Sequence, residues 1–223
     1  MTLRLAWLLL RKDLVVAIRA PEVLGFMLLF SLLCVVIFAF GFLRAGAAAA
    51  AQVPGVLWVS LLFSGTVGLL RLFAPEEEGG VLTLAQRTRR GALPLFLSKA
   101  ALQLLFTGIV AAVTLPTVLV FFDATLRQPG IVVAALALGL VGQAVLGTLC
   151  AALLVHVRLR EVMLPLLLYP LLAPVLVAGV QVTVLAQDGA GPDVTTGWLV
   201  LMAAFDVSVA VAAPWLHEKV SRA

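Results

Sequence analysis

Residues that soluble enzymes and metal proteins rely on are scarce in this chain. Its 223 residues include two cysteines and two histidines, and only 12 % of them are charged. Cys34 and Cys150 lie inside long apolar stretches, with the spacing of neither a zinc site nor a redox pair. The sequence has no P-loop, no paired carboxylates and no convincing nucleophile and base. These absences argue against an enzyme and against a bound metal.

Long apolar sequence takes the place of reactive groups. The hydrophobic fraction is 63 % and the mean hydropathy is +1.18, which a soluble domain could not hide in its interior. Six stretches each reach the roughly 20 residues that a helix needs to cross about 30 Å of hydrocarbon. These stretches are residues 23–43, 53–72, 95–122, 131–157, 162–186 and 197–216. We therefore predict an all-α integral membrane protein, with residues 1–223 forming one domain of six spans.

The positive charges predict the orientation of these spans. Threaded in order, the spans put thirteen of the fifteen Lys and Arg residues on one side, and leave only Arg44 and Arg127 on the other. Because Lys and Arg near span ends are enriched on the cytoplasmic side, both termini are predicted to be cytoplasmic. The net charge of +4 and the pI near 9.7 then reflect membrane anchors beside an anionic leaflet, and a nucleic-acid partner is not expected.

The segment before the first span has a different pattern. The charged residues Arg4, Arg11, Lys12 and Asp13 occupy the part of the helical wheel of residues 2–20 that the apolar positions leave. The apolar positions at helical spacing are Leu3, Ala6, Trp7, Leu10, Leu14 and Ala17. This pattern predicts a helix in the membrane interface that ends at Pro21. A simple cytoplasmic flank is the alternative.

Two kinds of residue mark the interiors of the spans. Small residues in spans two and four allow another helix to approach closely, either within one copy or between copies. Span five contains Pro165, Pro170 and Pro174, which predict a kinked or broken helix. Its second half, Val175–Ala186, is then a candidate re-entrant or surface helix.

The connection between spans two and three is the most distinctive loop. It has an acidic cluster, two glycines, a short apolar ridge and a basic cluster. Acidic groups favour the N-terminus of a helix and basic groups its C-terminus, so Val81–Arg90 is predicted to be a short helix, with a charged surface turn as the alternative. This loop is too short for a nucleotide-binding domain. Any energy source must therefore be another polypeptide or an ion gradient, and a helix of this kind is suited to receive force from a soluble motor.

A few polar residues remain as candidates for function. Asp206 is the one ionisable residue near the middle of a predicted span, where a charge is expensive. It is predicted to line a water-filled path, to mark a dimer seam, to bond a carbonyl as a neutral acid, or to lie near a break in a misplaced span. Arg44 and Arg127 are candidate contacts for haem propionates or an acidic partner, or plain interfacial anchors. His156 and His217 are better explained as interfacial residues than as haem ligands.

Residues 53–99 also resemble a known family. The matching features are Val53-Pro54-Gly55-Val56-Leu57-Trp58-Val59, the segment 69–73, Glu76, Gly80, Leu82, Leu93-Pro94 and Lys99. They are similar to the haem exporter B subunit of cytochrome c maturation, the CcmB family, which is the permease of an ATP-binding-cassette complex. One position departs from that pattern, since this chain has Leu70 where the family commonly has Glu.

The resemblance implies a fold, partners and coupling residues. It implies a type-2 exporter-like permease in the bacterial inner membrane that forms a homodimer on two ATPase subunits. Its partners would be a haem-handling membrane subunit and a small membrane subunit. Haem would be a handled ligand, not a stably bound cofactor, and ATP hydrolysis would drive release of a haem-loaded chaperone. The implied coupling residues are Glu76, Glu77, Gly80, Leu82, Arg87, Arg89 and Arg90, with Arg71 and Phe73 at the end of span two.

Two other functions stay open at this point. One is a permease of the same kind for another amphipathic substrate, such as a lipid-linked glycan or a drug. The other is an assembly scaffold in the membrane that transports nothing.

Overall fold

The computed structural model describes residues 2–19, 21–42, 49–74, 92–155 and 157–220. Within these ranges the chain forms seven α-helices and no strand. The helices are α1 (Thr2–Arg19), α2 (Glu22–Gly41), α3 (Val53–Arg71), α4 (Ala92–Phe121), α5 (Pro129–Leu153), α6 (Arg160–Asp188) and α7 (Pro192–Val220). Helices α2 to α7 contain six candidate spans that are long and apolar enough to cross a membrane. The prediction of an all-α, six-span membrane protein is therefore confirmed, and each helix ends within five residues of the predicted boundary.

Helix α3 is the central helix of the bundle. It packs against α2, α4, α5 and α6, and 72 % of its membrane-spanning stretch is buried inside the protein. Its small residues Ser60, Ser64, Gly65 and Gly68 are all buried. Small side chains let neighbouring helices approach closely where lipid provides no hydrophobic drive for association. In span two, the small residues thus serve packing within one copy of the chain.

Helix α6 corrects the prediction for span five. It runs without interruption from Arg160 to Asp188 although Pro165, Pro170 and Pro174 lie inside it, so the expected break and re-entrant half are wrong. Pro170 and Pro174 are exposed. A stripe on the other side of the helix is buried and consists of Leu164, Leu168, Leu172, Val175, Ala178 and Val182. Packing of this stripe offsets the backbone hydrogen bonds that the prolines remove.

Helix α1 is present as predicted, but it packs against the bundle more intimately than an interfacial flank would. It contacts chiefly α4 and makes few contacts with α2, its neighbour in sequence. Ala6 is buried and Leu10, Leu14 and Ala17 pack against the core, whereas Trp7 is 62 % exposed. Asp13, expected on the polar side of the wheel, is 5 % exposed. Asp13 therefore lies on the buried side of α1, and its expected place on the polar side is wrong.

Candidate functional site

The predicted coupling residues lie in a loop outside the described ranges. They are Glu76, Glu77, Gly80, Leu82, Arg87, Arg89 and Arg90. Their roles, and the short helix predicted for Val81–Arg90, therefore stay predictions. The structure does describe both helices that the loop joins, α3 before it and α4 after it.

The end of α3 is firmly anchored before the loop begins. Leu72 and Phe73 follow the helix and are 5 % and 3 % exposed, and both belong to the main hydrophobic core. Arg71, by contrast, is exposed at the last position of α3. Phe73 thus fixes the chain by packing, while Arg71 is available to solvent, headgroups or a partner.

Two glutamine side chains tie α3 to its neighbours at the level of Gly65. Gln103 of α4 donates a hydrogen bond of 2.8 Å from Nε2 to the carbonyl oxygen of Gly65. Gln143 of α5 donates from Nε2 to the carbonyl oxygen of Leu62 at 3.1 Å, and a Cβ on Gly65 would collide with this amide. Both glutamines are buried. Because α3 and α4 flank the predicted coupling loop, the Gln103 bond connects the two helices that this loop joins.

Trp58, part of the Pro-Gly-apolar-apolar-Trp sequence, is held between three helices. A Cβ on Gly139 of α5 or on Gly179 of α6 would collide with the indole ring of Trp58. The indole Nε1 donates a hydrogen bond of 3.0 Å to Oγ1 of Thr183, which in turn donates to the carbonyl oxygen of Gly179. This part of the resemblance therefore has a packing function and contains no reactive group.

A buried ion pair joins α1 to α4. Nζ of Lys99 lies 3.0 Å from Oδ2 of Asp13, and the two side chains are 1 % and 5 % exposed. Lys12 approaches the other carboxylate oxygen at 2.9 Å with its own side chain 47 % exposed. Lys99 is one of the thirteen Lys and Arg residues that were predicted to flank the spans as membrane anchors, and the structure instead buries its side chain. The signal that sequence analysis missed is an acidic residue inside an otherwise basic, amphipathic segment.

Asp206 lies in the middle of an uninterrupted α7 and faces α5. It is 7 % exposed, and a Cβ on Gly142 would approach its Oδ1 to 2.6 Å. Neither carboxylate oxygen has a hydrogen-bond partner among the described residues. The structure rules out the explanation that Asp206 lies at a helix break. It also places the residue inside one copy of the chain and away from the outer surface of α7. A functional role for Asp206 stays a prediction.

A groove runs between α2 and α6 over the surface of α3. Its cavity volume is about 420 Å³, and Arg71, Arg160 and Glu161 line one end of it. The aromatic rings of Phe30, Phe63 and Tyr169 meet edge to face nearby, with centroids 6.4 Å and 5.7 Å apart. The apolar lining consists of Val23, Phe26, Leu29, Phe30, Leu33, Val67 and Leu70. Leu70, where the resembled family commonly has Glu, thus lies in a groove that retains an acidic group through Glu161.

The remaining candidates are dispersed. Arg127 donates a hydrogen bond of 3.0 Å to the carbonyl oxygen of Asp188, at the C-terminal end of α6. A positive charge at this end of a helix interacts favourably with the helix dipole. Arg44 and His156 lie outside the described residues, as does the side chain of His217. In the part of the chain that the structure describes, no three His, Cys, Asp or Glu side chains are grouped to hold a metal ion. A haem or partner contact at Arg44 or Arg127 stays a prediction.

Several specific contacts tie the helices of the bundle to one another. The hydrogen bonds and close contacts described above connect α3 to α4, α5 and α6, and the ion pair connects α1 to α4. Rigid connections of this kind carry a displacement at one helix end into the rest of a bundle.

Comparison with known proteins agrees with this architecture. A family model described as "CcmB protein" matches residues 4–221. "Heme exporter protein B" of Paracoccus denitrificans is 34 % identical over 93 % of this chain and 94 % of the relative. The proteins of the same name from Rhodobacter capsulatus and Bradyrhizobium diazoefficiens are 30 % and 28 % identical, over 90 % and 77 % of this chain and 92 % and 78 % of the relatives. The chain therefore belongs to the CcmB family.

Proposed function

We propose that this chain is the membrane permease subunit of an ATP-driven haem exporter that serves cytochrome c maturation in the bacterial inner membrane. The observation that carries the proposal is the family match over residues 4–221, together with relatives named as haem exporter subunits. The six spans supply the membrane part. The chain is not itself an enzyme in this proposal, and its termini face the cytoplasm, where most of its cations are expected.

In the proposed mechanism, a separate ATPase subunit acts on the loop between α3 and α4. Closure of two ATPase subunits displaces this loop, with Glu76, Leu82 and the basic cluster at its end as the contact residues. The displacement enters α3 directly, since Phe73 anchors its end in the core, and α4 follows because Gln103 holds Gly65. ATP hydrolysis then drives release of a haem-loaded chaperone.

The proposed complex also contains a second copy of this chain, a haem-handling membrane subunit and a small membrane subunit. We place the second copy against the outer faces of α2 and α6, because most of α3 is already buried within one copy. On α2 that face presents Phe26, Ile37 and Phe40, each at least 59 % exposed. Spans one, two and five are predicted to shift as bodies at the dimer interface, and of these span two is the one most covered by its neighbours within one copy.

The first experiment is affinity purification of the chain from its native membrane in a mild detergent, with the bound subunits identified by mass spectrometry. We expect an ATP-binding-cassette ATPase together with a haem-handling membrane protein. An ATPase alone would keep the permease and favour another amphipathic substrate. Recovery of the chain with neither partner would contradict the proposal.

A matched pair of leucine variants then tests the coupling loop. Leu82→Ala removes an apolar side chain from the predicted coupling helix, whereas Leu159→Ala removes one from the connection between α5 and α6, where Leu159 is 62 % exposed. We expect the first variant to reduce the ATPase rate of the purified complex and the haem-stained cytochrome c of the cells, and the second to change neither. Equal behaviour of the two variants would favour a non-transporting scaffold.

A further inference from the structure

The position of α1 is determined by α4 and not by the helix that follows it in the chain. α1 packs chiefly against α4 and makes few contacts with α2, from which the turn at Pro21 separates it. α4 is also the first helix after the predicted coupling loop, and Lys99 lies about two turns from its start at Ala92. A displacement of the loop therefore reaches the part of α4 on which α1 is docked.

The contact between α1 and α4 depends on a charge pair that the surrounding protein shields from water. Asp13 Oδ2 and Lys99 Nζ are 3.0 Å apart, and both side chains are at least 95 % buried. Interactions between charges are strong where water is excluded, and a buried charge whose partner is removed is strongly destabilising. Apolar packing alone would allow α1 to slide or rotate on α4, whereas this pair specifies one register.

Two of the helices that meet at this place, α3 and α4, are the ones that the predicted coupling loop joins. A cavity of about 90 Å³ beside the pair is lined by Asp13 and Ala17 of α1, Arg71 of α3, and Lys99 of α4. The last residue of α3, the first turns of α4 and the middle of α1 thus surround one small space. The space leaves α1 room to move once the ion pair is broken.

We propose that Asp13 and Lys99 are positioning residues that latch α1 onto α4, so that α1 moves with the coupling loop as a second element of force transmission. This inference rests on the proposed function for the movement, but the latch itself is a property of the fold. Its prediction is that α1 stays docked only while opposite charges occupy these two positions, in either order.

Hydrogen exchange measures the latch without any partner or substrate. The variants are Asp13→Asn, Lys99→Met and the reversed pair Asp13→Lys with Lys99→Asp, each compared with the wild type in detergent. Lys12→Met is the matched control, since Lys12 contacts the same carboxylate at 2.9 Å from the exposed side. Amides of α5 serve as the internal reference.

We expect the single variants to raise the exchange rate of α1 amides by about tenfold relative to α5, because helices open locally when their anchoring contacts are lost. The reversed pair and Lys12→Met should stay within about twofold of the wild type. Unchanged exchange in the single variants would overturn the latch, as would a reversed pair that exchanges as fast as they do. A single variant that is not recovered as a monodisperse protein counts for the latch only if the reversed pair restores its yield.

Cytochrome c yield in the cells tests the coupling part separately. Loss of yield in Asp13→Asn with recovery in the reversed pair supports transmission through α1. Loosened α1 with normal yield would overturn the coupling role while leaving the latch in place. If Leu82→Ala leaves ATPase rate and yield unchanged, the proposed function fails, yet the exchange data still decide whether the latch exists.

Discussion

Helices α2 and α3 are adjacent spans of similar length, yet their surroundings are opposite. Only 17 % of the membrane-spanning stretch of α2 is buried inside the protein, and α2 is the more apolar of the two helices. In α3, 72 % of the membrane-spanning stretch is buried, and this helix is richer in small and polar residues. Lipid is as apolar as a leucine side chain, so a hydrophobic helix gains little by leaving lipid for the interior of a bundle. Close packing and hydrogen bonds between helices decide which span is buried. The less hydrophobic span is therefore the inner one, the reverse of the rule for soluble proteins.

The largest effect is expected where the neighbours of α3 approach Trp58. Gly139→Ala and Gly179→Ala each place a Cβ against the rigid indole ring, and overpacking of this kind costs about 1–3 kcal/mol. Gly25→Ala in α2 is the control, since nothing lies within 4 Å of the place that its Cβ would occupy. Thermal unfolding in detergent should show a clear loss for the first two variants and none for the control. Equal stability of all three would remove the contrast between the two helices.

A smaller loss is expected when the hydrogen bond between α3 and α4 is removed. Gln103→Leu keeps the approximate size of the side chain but deletes the donor to the Gly65 carbonyl, and bonds of this type average about 0.6 kcal/mol in membrane bundles, with a maximum near 1.7. Ser208→Ala removes an exposed hydroxyl that bonds only within α7 and should have almost no effect. The midpoint of unfolding by denaturant in mixed micelles compares them. A Gln103→Leu protein as stable as Ser208→Ala would mean that packing alone holds α3.

A variant of Asp206 tests how the outer helix α7 accommodates a polar side chain that faces the inside of the bundle. A charge held at this depth without a partner costs several kcal/mol, so the neutral amide of the same shape in Asp206→Asn is expected to preserve stability within about 0.5 kcal/mol. Unfolding temperature and membrane yield of the two proteins check this. A marked loss in Asp206→Asn would show that the carboxylate itself has an ionic role, such as a contact with a partner or with water.

A similarly small effect is expected at the exposed connection between α4 and α5. Arg127→Ala removes a hydrogen bond to the Asp188 carbonyl, and an exposed contact at a helix end contributes about 0.3–1 kcal/mol. Unfolding temperature should fall by no more than a few degrees while cytochrome c yield stays normal. A large loss of yield at unchanged stability would instead support the predicted haem or partner contact of Arg127.

Much of the fold follows from local pattern, and the exceptions have a common cause. The spans were predictable because about 20 apolar residues leave a helix as the structure that satisfies its own backbone in lipid. The prediction of a break at Pro170 and Pro174 was wrong because neighbouring helices support α6 on its buried side. Composition does not reveal that support. Asp13 and Lys99 were misplaced because the sequence does not show that Asp13, which lies next to Ala6 and Ala17 on the wheel, faces Lys99 of α4.

The candidate site divides in the same way. The loop with Glu76 and Leu82 was recognisable from its charge pattern and its resemblance to a family. Gln103, Gln143 and the Asp13–Lys99 pair were not, since each acts through a partner 38 to 86 positions away in the chain. Pairing at that distance is a property of the packed bundle.

By itself the sequence determined that the chain is a membrane protein with six spans and which family it resembles, and it predicted which side carries most of its cations. Length, hydropathy and charge act locally, so they can be read without knowing which helices are neighbours. Only the tertiary structure decided that α3 is the inner helix, that Trp58 packs against two glycines, and that α1 is fastened to α4. These features depend on contacts between distant segments, because in lipid it is packing and hydrogen bonding that choose the neighbours.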